Sequence, residues 1–219
     1  MKTKVILTLI TCIVLISSCT ILSFYPLYTD NVLIKDDRII GKWQSIKRES
    51  TNVGASYSDT LIWEISFMKE IWRKKLNNPF DRGDKKIPNQ FTYTLNIYDK
   101  SNPQDCAEFH LHLVKLGSKT YLDFFPEEWN KYNNILAVHL MYVHTFAKVE
   151  INQQLEIQWF DSEWLQEMFD ENRIRIKHEN NGVYTLLTAK PEELQQFIIK
   201  YSDDKEAFSE DLKYILNRI

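Results

Sequence analysis

Between residues 60 and 68 the chain alternates strictly, with Leu61, Trp63, Ile65 and Phe67 on one side and Ile62, Glu64, Ser66 and Met68 on the other. A period of two is what a pleated strand with one buried face requires, because successive side chains point to opposite faces. The same period recurs where Phe91, Tyr93, Leu95 and Ile97 alternate with Thr92, Thr94, Asn96 and Tyr98, and where Phe109, Leu111 and Leu113 alternate with His110, His112 and Val114. Gly117-Ser118 suits a two-residue hairpin turn leading back through residues 121–125. Residues 42–48 read as the first strand, with Trp43, Ser45 and Lys47 sharing a face. Residues 137–150 read as a long, bent strand, which Asn152-Gln153 turns into 155–160. Segments 173–179 and 183–187 flank Asn180-Asn181-Gly182, a strong hairpin signal.

Elsewhere the period changes to that of a helix. Asp161 or Ser162 can cap a first helix with Trp164, Leu165, Met168 and Phe169 on one side. Pro191, backed by Glu192 and Glu193, opens a second, whose apolar face is Leu194, Phe197, Ile198 and Tyr201. Asp203 with Glu206 resembles a capping box for a third, lined by Phe208, Leu212, Ile215 and Ile219. Residues 36–40 suit one helical turn ended by Gly41. Residues 70–75 continue a hairpin, and 77–90 form a long loop by turn chemistry, Arg82-Gly83-Asp84 included.

About ten strands thus come in hairpin-sized steps, with nothing suggesting parallel crossovers. The expected fold is mainly β: an antiparallel barrel, since closure removes exposed edges, with a few short helices that are mostly C-terminal. The expected plan is a leader at 1–18, a tether and arm at 19–35, and a barrel-like domain at 36–219 that ends in C-terminal helices over 191–219.

The first residues carry a different signal. Lys2 and Lys4 precede a twelve-residue apolar run, 5–16, which is too short to span a bilayer as a helix. It has the length of a signal-peptide core. Ile16-Ser17-Ser18-Cys19 resembles the lipobox of bacterial lipoproteins. That resemblance implies cleavage before Cys19 and a diacylglycerol on its sulfur, making the membrane a partner through lipid. Several acyl chains anchor a protein stably where one is marginal. No acidic run follows Cys19, so the expected location is the outer membrane's periplasmic face.

Composition narrows the remainder. Loss of residues 1–18 leaves 201 residues with 25 basic against 30 acidic side chains, a net charge of −5. Mild acidity argues against nucleic acid as a partner. Of the three cysteines, Cys12 leaves with the leader and Cys19 is the lipid site, so Cys106 has no partner for an intrachain disulfide. Asp105 and Glu108 give Cys106 no basic neighbour to activate it.

Gly41-Lys42-Trp43, following a short turn and opening the first strand, resembles the Gly-x-Trp start of lipocalins. The resemblance implies a lipocalin-like (calycin-like) barrel in which Trp43 closes one end. It also implies an arginine packed over that tryptophan, to which the sequence pattern assigns no residue. Residues 25–30 (Tyr25-Pro26-Leu27-Tyr28-Thr29-Asp30), Gly41-Lys42-Trp43, 116–123, His144-Thr145-Phe146 and 187–194 are similar to segments of a group of lipoproteins of Bacteroidetes-type bacteria. The similarity spans most of 25–200 and implies a shared fold and compartment, but no activity.

Catalytic chemistry is not written in the chain. His110 and His112, two apart on one strand, point the same way and with His144 could approach one metal. No His-Glu-x-x-His or Cys-x-x-Cys accompanies them, and ordinary hydrogen-bonding roles are the simpler reading. Gly117-Ser118-Lys119-Thr120 lacks the upstream glycine of a phosphate loop, where His112 stands instead. No Gly-x-Ser-x-Gly elbow occurs, and Ser56 lies in a loop. Glu127-Glu128 and Glu192-Glu193 suit solvated or helix-start positions, and Arg173, Arg175 and Lys177 a solvated strand face. The expectation is a non-catalytic chain without metal or cofactor. It binds a small apolar ligand inside a barrel lined by residues such as Trp63, Phe67, Tyr93 and Phe109. The alternative is an envelope-assembly role through a protein partner, held by the arm or by an exposed apolar patch on the helices of 191–219.

Overall fold

The computed structural model describes residues 21–45, 61–68, 91–127, 142–182, 184–208 and 210–219. The leader, Cys19, Ser56, the Arg82-Gly83-Asp84 loop, Glu128, the 70–75 hairpin and the 137–141 part of the bent strand lie outside the described residues.

The strands are β1 (Leu22–Ser23), β2 (Leu33–Ile34), β3 (Gly41–Ser45), β4 (Leu61–Phe67), β5 (Thr92–Asp99), β6 (Asn102–Leu116), β7 (Lys119–Pro126), β8 (Thr145–Ile151), β9 (Gln154–Trp159), β10 (His178–Asn180), β11 (Thr185–Leu187) and β12 (Lys213–Arg218). Helices α1 (Ser162–Asp170) and α2 (Pro191–Tyr201) stand between β9 and β12. Eight strands close an antiparallel barrel in the order β3-β4-β5-β6-β7-β8-β9-β12, with β12 pairing back onto β3. The architecture is that of a lipocalin-like barrel. No helix among the described residues is long and apolar enough to cross a membrane.

Alternation places the inward set. Trp43, Trp63, Ile65, Tyr93, Leu95, Leu111, Leu113, Leu122, Phe124, Ala147, Val149, Leu155, Ile157 and Leu216 form one buried cluster to which all eight barrel strands contribute. Register explains why they meet. Trp43 lies opposite Trp63, Trp63 opposite Ile97, Leu95 opposite Phe109, and Leu111 opposite Phe124. Gly117, at φ +58°, makes the turn that joins β6 to β7 with Leu116 opposite Lys119.

A second buried layer lies outside the barrel. Val114, Leu116, Tyr121 and Phe146 are the outward neighbours of inward residues, and they pack against α1, α2 and the N-terminal arm. In α1 the Asp161 carboxylate accepts from Glu163 N and Trp164 N, a cap worth about 1 kcal/mol. Trp164, Leu165 and Met168 are buried. In α2 Pro191 is at the first turn with Glu192 and Glu193, and Leu194, Phe197 and Ile198 are buried. At its far end Lys119 Nζ and Lys148 Nζ donate to Ser202 O at 2.7 and 3.4 Å, giving cations to the negative end of the helix. Burial, reinforced by the neighbouring Lys119, lowers the pKa of Lys148.

Three expectations need correction. The third helix is not formed among the described residues of its segment, where only a 3-10 turn, Glu210–Leu212, precedes a strand. Asp204, not Asp203, caps a turn by accepting from Glu206 N and Ala207 N, and residues 213–218 form β12. Without β12 the edges of β3 and β9 would both be unpaired, and satisfying two rows of backbone groups outweighs local helical spacing. The hairpin at 180–182 is shorter than expected, because the strand begins only at His178 and 173–177 run irregularly. The arm is not a free tether from residue 21 onward. Ile21, Leu27 and Leu33 are buried, β1 pairs in parallel with β11, and β2 pairs with β6.

Candidate functional site

The two ends of the barrel differ. At one end the residue 37–39 turn folds across the opening, held by Asp36, whose carboxylate accepts from Arg38 N. Trp43 is fully buried, and its indole Nε1 donates to Ile39 O at 2.8 Å. Arg218, opposite Trp43 on β12, lies over the indole at 4.3 Å and donates from Nη1 to Ile40 O at 2.8 Å and from Nη2 to Arg38 O. Gly41 is required here. Its φ is +139°, and a Cβ would stand 2.5 Å from Arg218 Nη1. Tyr93 Oη accepts from Asp36 N at 2.9 Å, Phe67 stacks on Tyr93 at 4.9 Å, and Lys35 Nζ covers Phe67 at 4.4 Å. Burial raises the Tyr93 pKa, keeping the phenol neutral for these contacts. This end is closed, and Arg218 supplies the arginine to which the sequence pattern assigned no residue.

At the other end the inward-facing described residues are only partly buried. Phe124 is 2% exposed and serves as a hub, with ring contacts to Trp63 at 6.1 Å, Phe109 at 6.3 Å and Trp159 at 5.0 Å. Beyond this hub Leu61, Ile97, Phe109 and Trp159 are only half-buried, and Tyr214, opposite Ile157, is 47% exposed. These side chains form an apolar rim, here called the mouth. Of the four expected lining residues, Trp63 and Phe109 reach the hub beneath the mouth, whereas Phe67 and Tyr93 belong to the closed end. Phe124, Trp159 and Tyr214 went unassigned. Their signal was inward parity on a strand, which becomes readable only once the register is known.

The outer face of β6 and β7 carries the buried polar residues. Asp123 is fully buried; its Oδ1 accepts from His144 Nδ1 and its Oδ2 from Leu27 N, both at 2.8 Å. His112, opposite Asp123, bonds through Nε2 with Thr92 Oγ1 at 3.1 Å. Its Nδ1 is buried without a hydrogen-bond partner, and Tyr28 covers the ring at 4.4 Å. Burial lowers the His112 pKa to about 4, against the pull of Asp123 and with the help of His110 and His144. His110 Nε2 faces Glu127 Oε1 at 3.4 Å. The arm seals this face through an antiparallel bridge, Ser23 N to His144 O at 2.9 Å and His144 N to Ser23 O at 2.7 Å.

The fold therefore brings His110, His112 and His144 to one face, but the bonded ring nitrogens of His112 and His144 are directed to Thr92 and Asp123. Among the described residues no group of three or more His, Cys, Asp or Glu side chains is arranged to hold a metal ion. Ser23, bridged to His144, turns its Oγ away from the Asp123–His144 pair and donates to Tyr25 O at 2.7 Å. Asp123 was not assigned a role from sequence. A single carboxylate in the apolar run Tyr121-Leu122-Asp123-Phe124-Phe125 was its available signal, because a buried charge needs partners.

The other candidates have structural positions. Lys119 of the Gly117–Thr120 turn is engaged by Ser202 O and Asp203. Cys106 is half-buried on β6. Arg173 pairs with Glu171 at 3.1 Å and Lys177 with Glu193 at 3.7 Å. Glu192 and Glu193 open α2. Comparison with protein-family models, with curated proteins and with solved structures finds no match to this chain.

Proposed function

We propose that this chain is an envelope lipoprotein, anchored through lipid on Cys19, whose barrel receives a small apolar ligand at its mouth. One observation carries the ligand reading: inward-facing apolar side chains from five strands stay partly exposed at one end of the barrel, while the other end is closed by Trp43 and Arg218. An eight-stranded barrel is just wide enough to be filled by side chains or to hold one small ligand. The Phe124 hub occupies the middle, so the site is shallow and sits above Phe124 and Trp63, with Phe109 at its rim. Among the described residues the buried polar and charged side chains, Ser23, Thr92, His112, Asp123 and His144, all lie on the outer side of the barrel, which suits a hydrocarbon portion of the ligand rather than an ionic one.

The alternative, a protein partner on the helices of 191–219, has less support. Leu194, Phe197 and Ile198 of α2 are buried and 213–218 is a strand, so the expected helical face is covered, while Ile199 on α2 and Tyr214 and Ile219 in and after β12 are exposed.

Native mass spectrometry of the chain from Thr20 onward, purified from its own compartment, tests the ligand. An added mass that denaturation releases, and that Trp159→Asp loses, is the expected result. A clean apo mass with no uptake from an envelope lipid extract removes the ligand reading and favours a protein partner. The anchor is tested separately: Cys19→Ser is expected to lose palmitate labelling and leave the membrane fraction, and retained label would refute it.

A further inference from the structure

We infer that residues 21–29 of the arm are a strap whose docking on the outside of β6 and β7 weakens in acid, with His112, beneath Tyr28, as the group that takes the proton. Neither a ligand nor an anchor is needed for this.

The strap is held from outside. Ile21 and Leu27 belong to the outer buried layer, and none of residues 21–33 contributes to the inward cluster. Ser23 exchanges two backbone bonds with His144, and Phe24 N donates to Leu187 O at 2.8 Å. Residues 24–29 belong to no strand. Leu27 is instead fixed by side chains: its N–H donates to Asp123 Oδ2 at 2.8 Å, and its carbonyl accepts from Gln195 Nε2 at 3.0 Å.

Beneath the strap His112 is 3% exposed, and Tyr28 covers its ring at 4.4 Å. A neutral imidazole has one donor and one acceptor nitrogen, whereas the protonated ring has two donors. Nε2 already meets Thr92 Oγ1, and Nδ1 has no hydrogen-bond partner. Protonation therefore buries a charge beside a nitrogen that has nothing to bond, which is costly. Asp123 lies directly opposite on β7, but both its oxygens are engaged, Oδ1 by His144 and Oδ2 by Leu27 N. The charge can be relieved in two ways, and both loosen the strap. Either Tyr28 lifts and water reaches the ring, or Asp123 turns toward His112 and releases Leu27 N.

The titratable groups facing His112 are Asp123 on β7, His110 on its own strand, His144 leading into β8 and Tyr28 on the strap, while β5 presents Thr92. Burial dominates among them, holding the docked imidazole at about 4 against an ordinary 6.5. The undocked form thus binds the proton first as pH falls, so docking is strongest above 6.5 and weakens progressively toward about 4. Released, residues 21–29 become a tether of up to about 30 Å that no longer covers the outer face of β6 and β7.

Hydrogen exchange of the full chain in mild detergent tests the strap. Protection factors, which divide out the intrinsic dependence of exchange on pH, are compared at pH 7 and pH 5. At Ser23, Phe24 and Leu27 protection is expected to lie below that of Leu95 and Leu111 already at pH 7, because the strap opens without the barrel. It is expected to fall a further 20-fold, roughly, by pH 5. His112→Gln, with His112→Phe as the second variant should the first not fold, cannot take the proton and is expected to hold the strap's protection constant between the two pH values. His110→Gln is expected to keep the fall. Strap protection equal to that of Leu95 and Leu111 overturns the switch, because the strap then opens only with the barrel. A strap that opens alone but to the same extent at both pH values, or a fall that persists without His112, overturns it as well.

Discussion

The barrel's two buried layers are built by opposite rules. Among the described residues the inward layer contains no buried carboxylate or histidine, and its few polar atoms, such as Trp43 Nε1 and Tyr93 Oη, bond to the backbone of the closing turn. The outward layer beneath the arm holds Ser23, Thr92, His112, Asp123 and His144, all buried. The inner layer depends on shape and the outer one on hydrogen-bond satisfaction, so each should fail in its own way when disturbed. The difference also separates properties: attachment of the arm and response to pH belong to the outside.

The largest expected effect breaks the inner layer. Trp43→Ala removes a fully buried indole, its bond to Ile39 O and the surface on which Arg218 rests, and should cost about 4 kcal/mol. Chemical denaturation measures it, with loss of protection spread over the whole barrel. A cost under about 1 kcal/mol would show that the closing turn is not coupled to the interior.

A change in the outer layer should be local. Asp123→Ala leaves Leu27 N and His144 Nδ1 without their acceptor and should cost about 3 kcal/mol. Hydrogen exchange is expected to rise at Ser23 and Leu27 while Leu95 and Leu111 stay protected. Uniform loss of protection would mean that the two layers unfold as one.

The smallest effect is a pH dependence. His112 is held neutral in the fold with a pKa of about 4, below the ordinary value of 6.5, among Asp123, His110, His144 and the Tyr28 ring. The unfolded chain therefore binds the proton first as pH falls, and stability is lost progressively from about 6.5 down to about 4. Between pH 7 and pH 5 the loss from this group is about 2 kcal/mol. His112→Phe should remove that share of the slope, and an unchanged slope would place the titration elsewhere.

Much of the inner layer was legible in the sequence. Strict alternation in 61–67 and 92–98 identified the inward residues, because only one parity can face a dry interior. The Gly117-Ser118 turn and the α1 and α2 starts were legible for similarly local reasons, and so was the Gly41-Lys42-Trp43 opening. Arg218 was not, since nothing near it in sequence marks a partner on β3. The outer layer was hidden for the same reason: His112, Asp123 and Leu27 are far apart in the chain, and only the register of β6 on β7 and the path of the arm bring them together.

Residues 203–219 separate what each level decided. Their spacing of Phe208, Leu212, Ile215 and Ile219 is helical, and by itself the segment has no reason to be extended. The sequence alone determined the barrel's parity, its tight turns and the start of its two helices, all of which depend on neighbours within a few residues. The tertiary structure decided that Lys213–Arg218 is a strand, because two open sheet edges needed a partner. It also decided that the arm is pinned to the barrel, because Asp123 is buried and takes its second partner from Leu27.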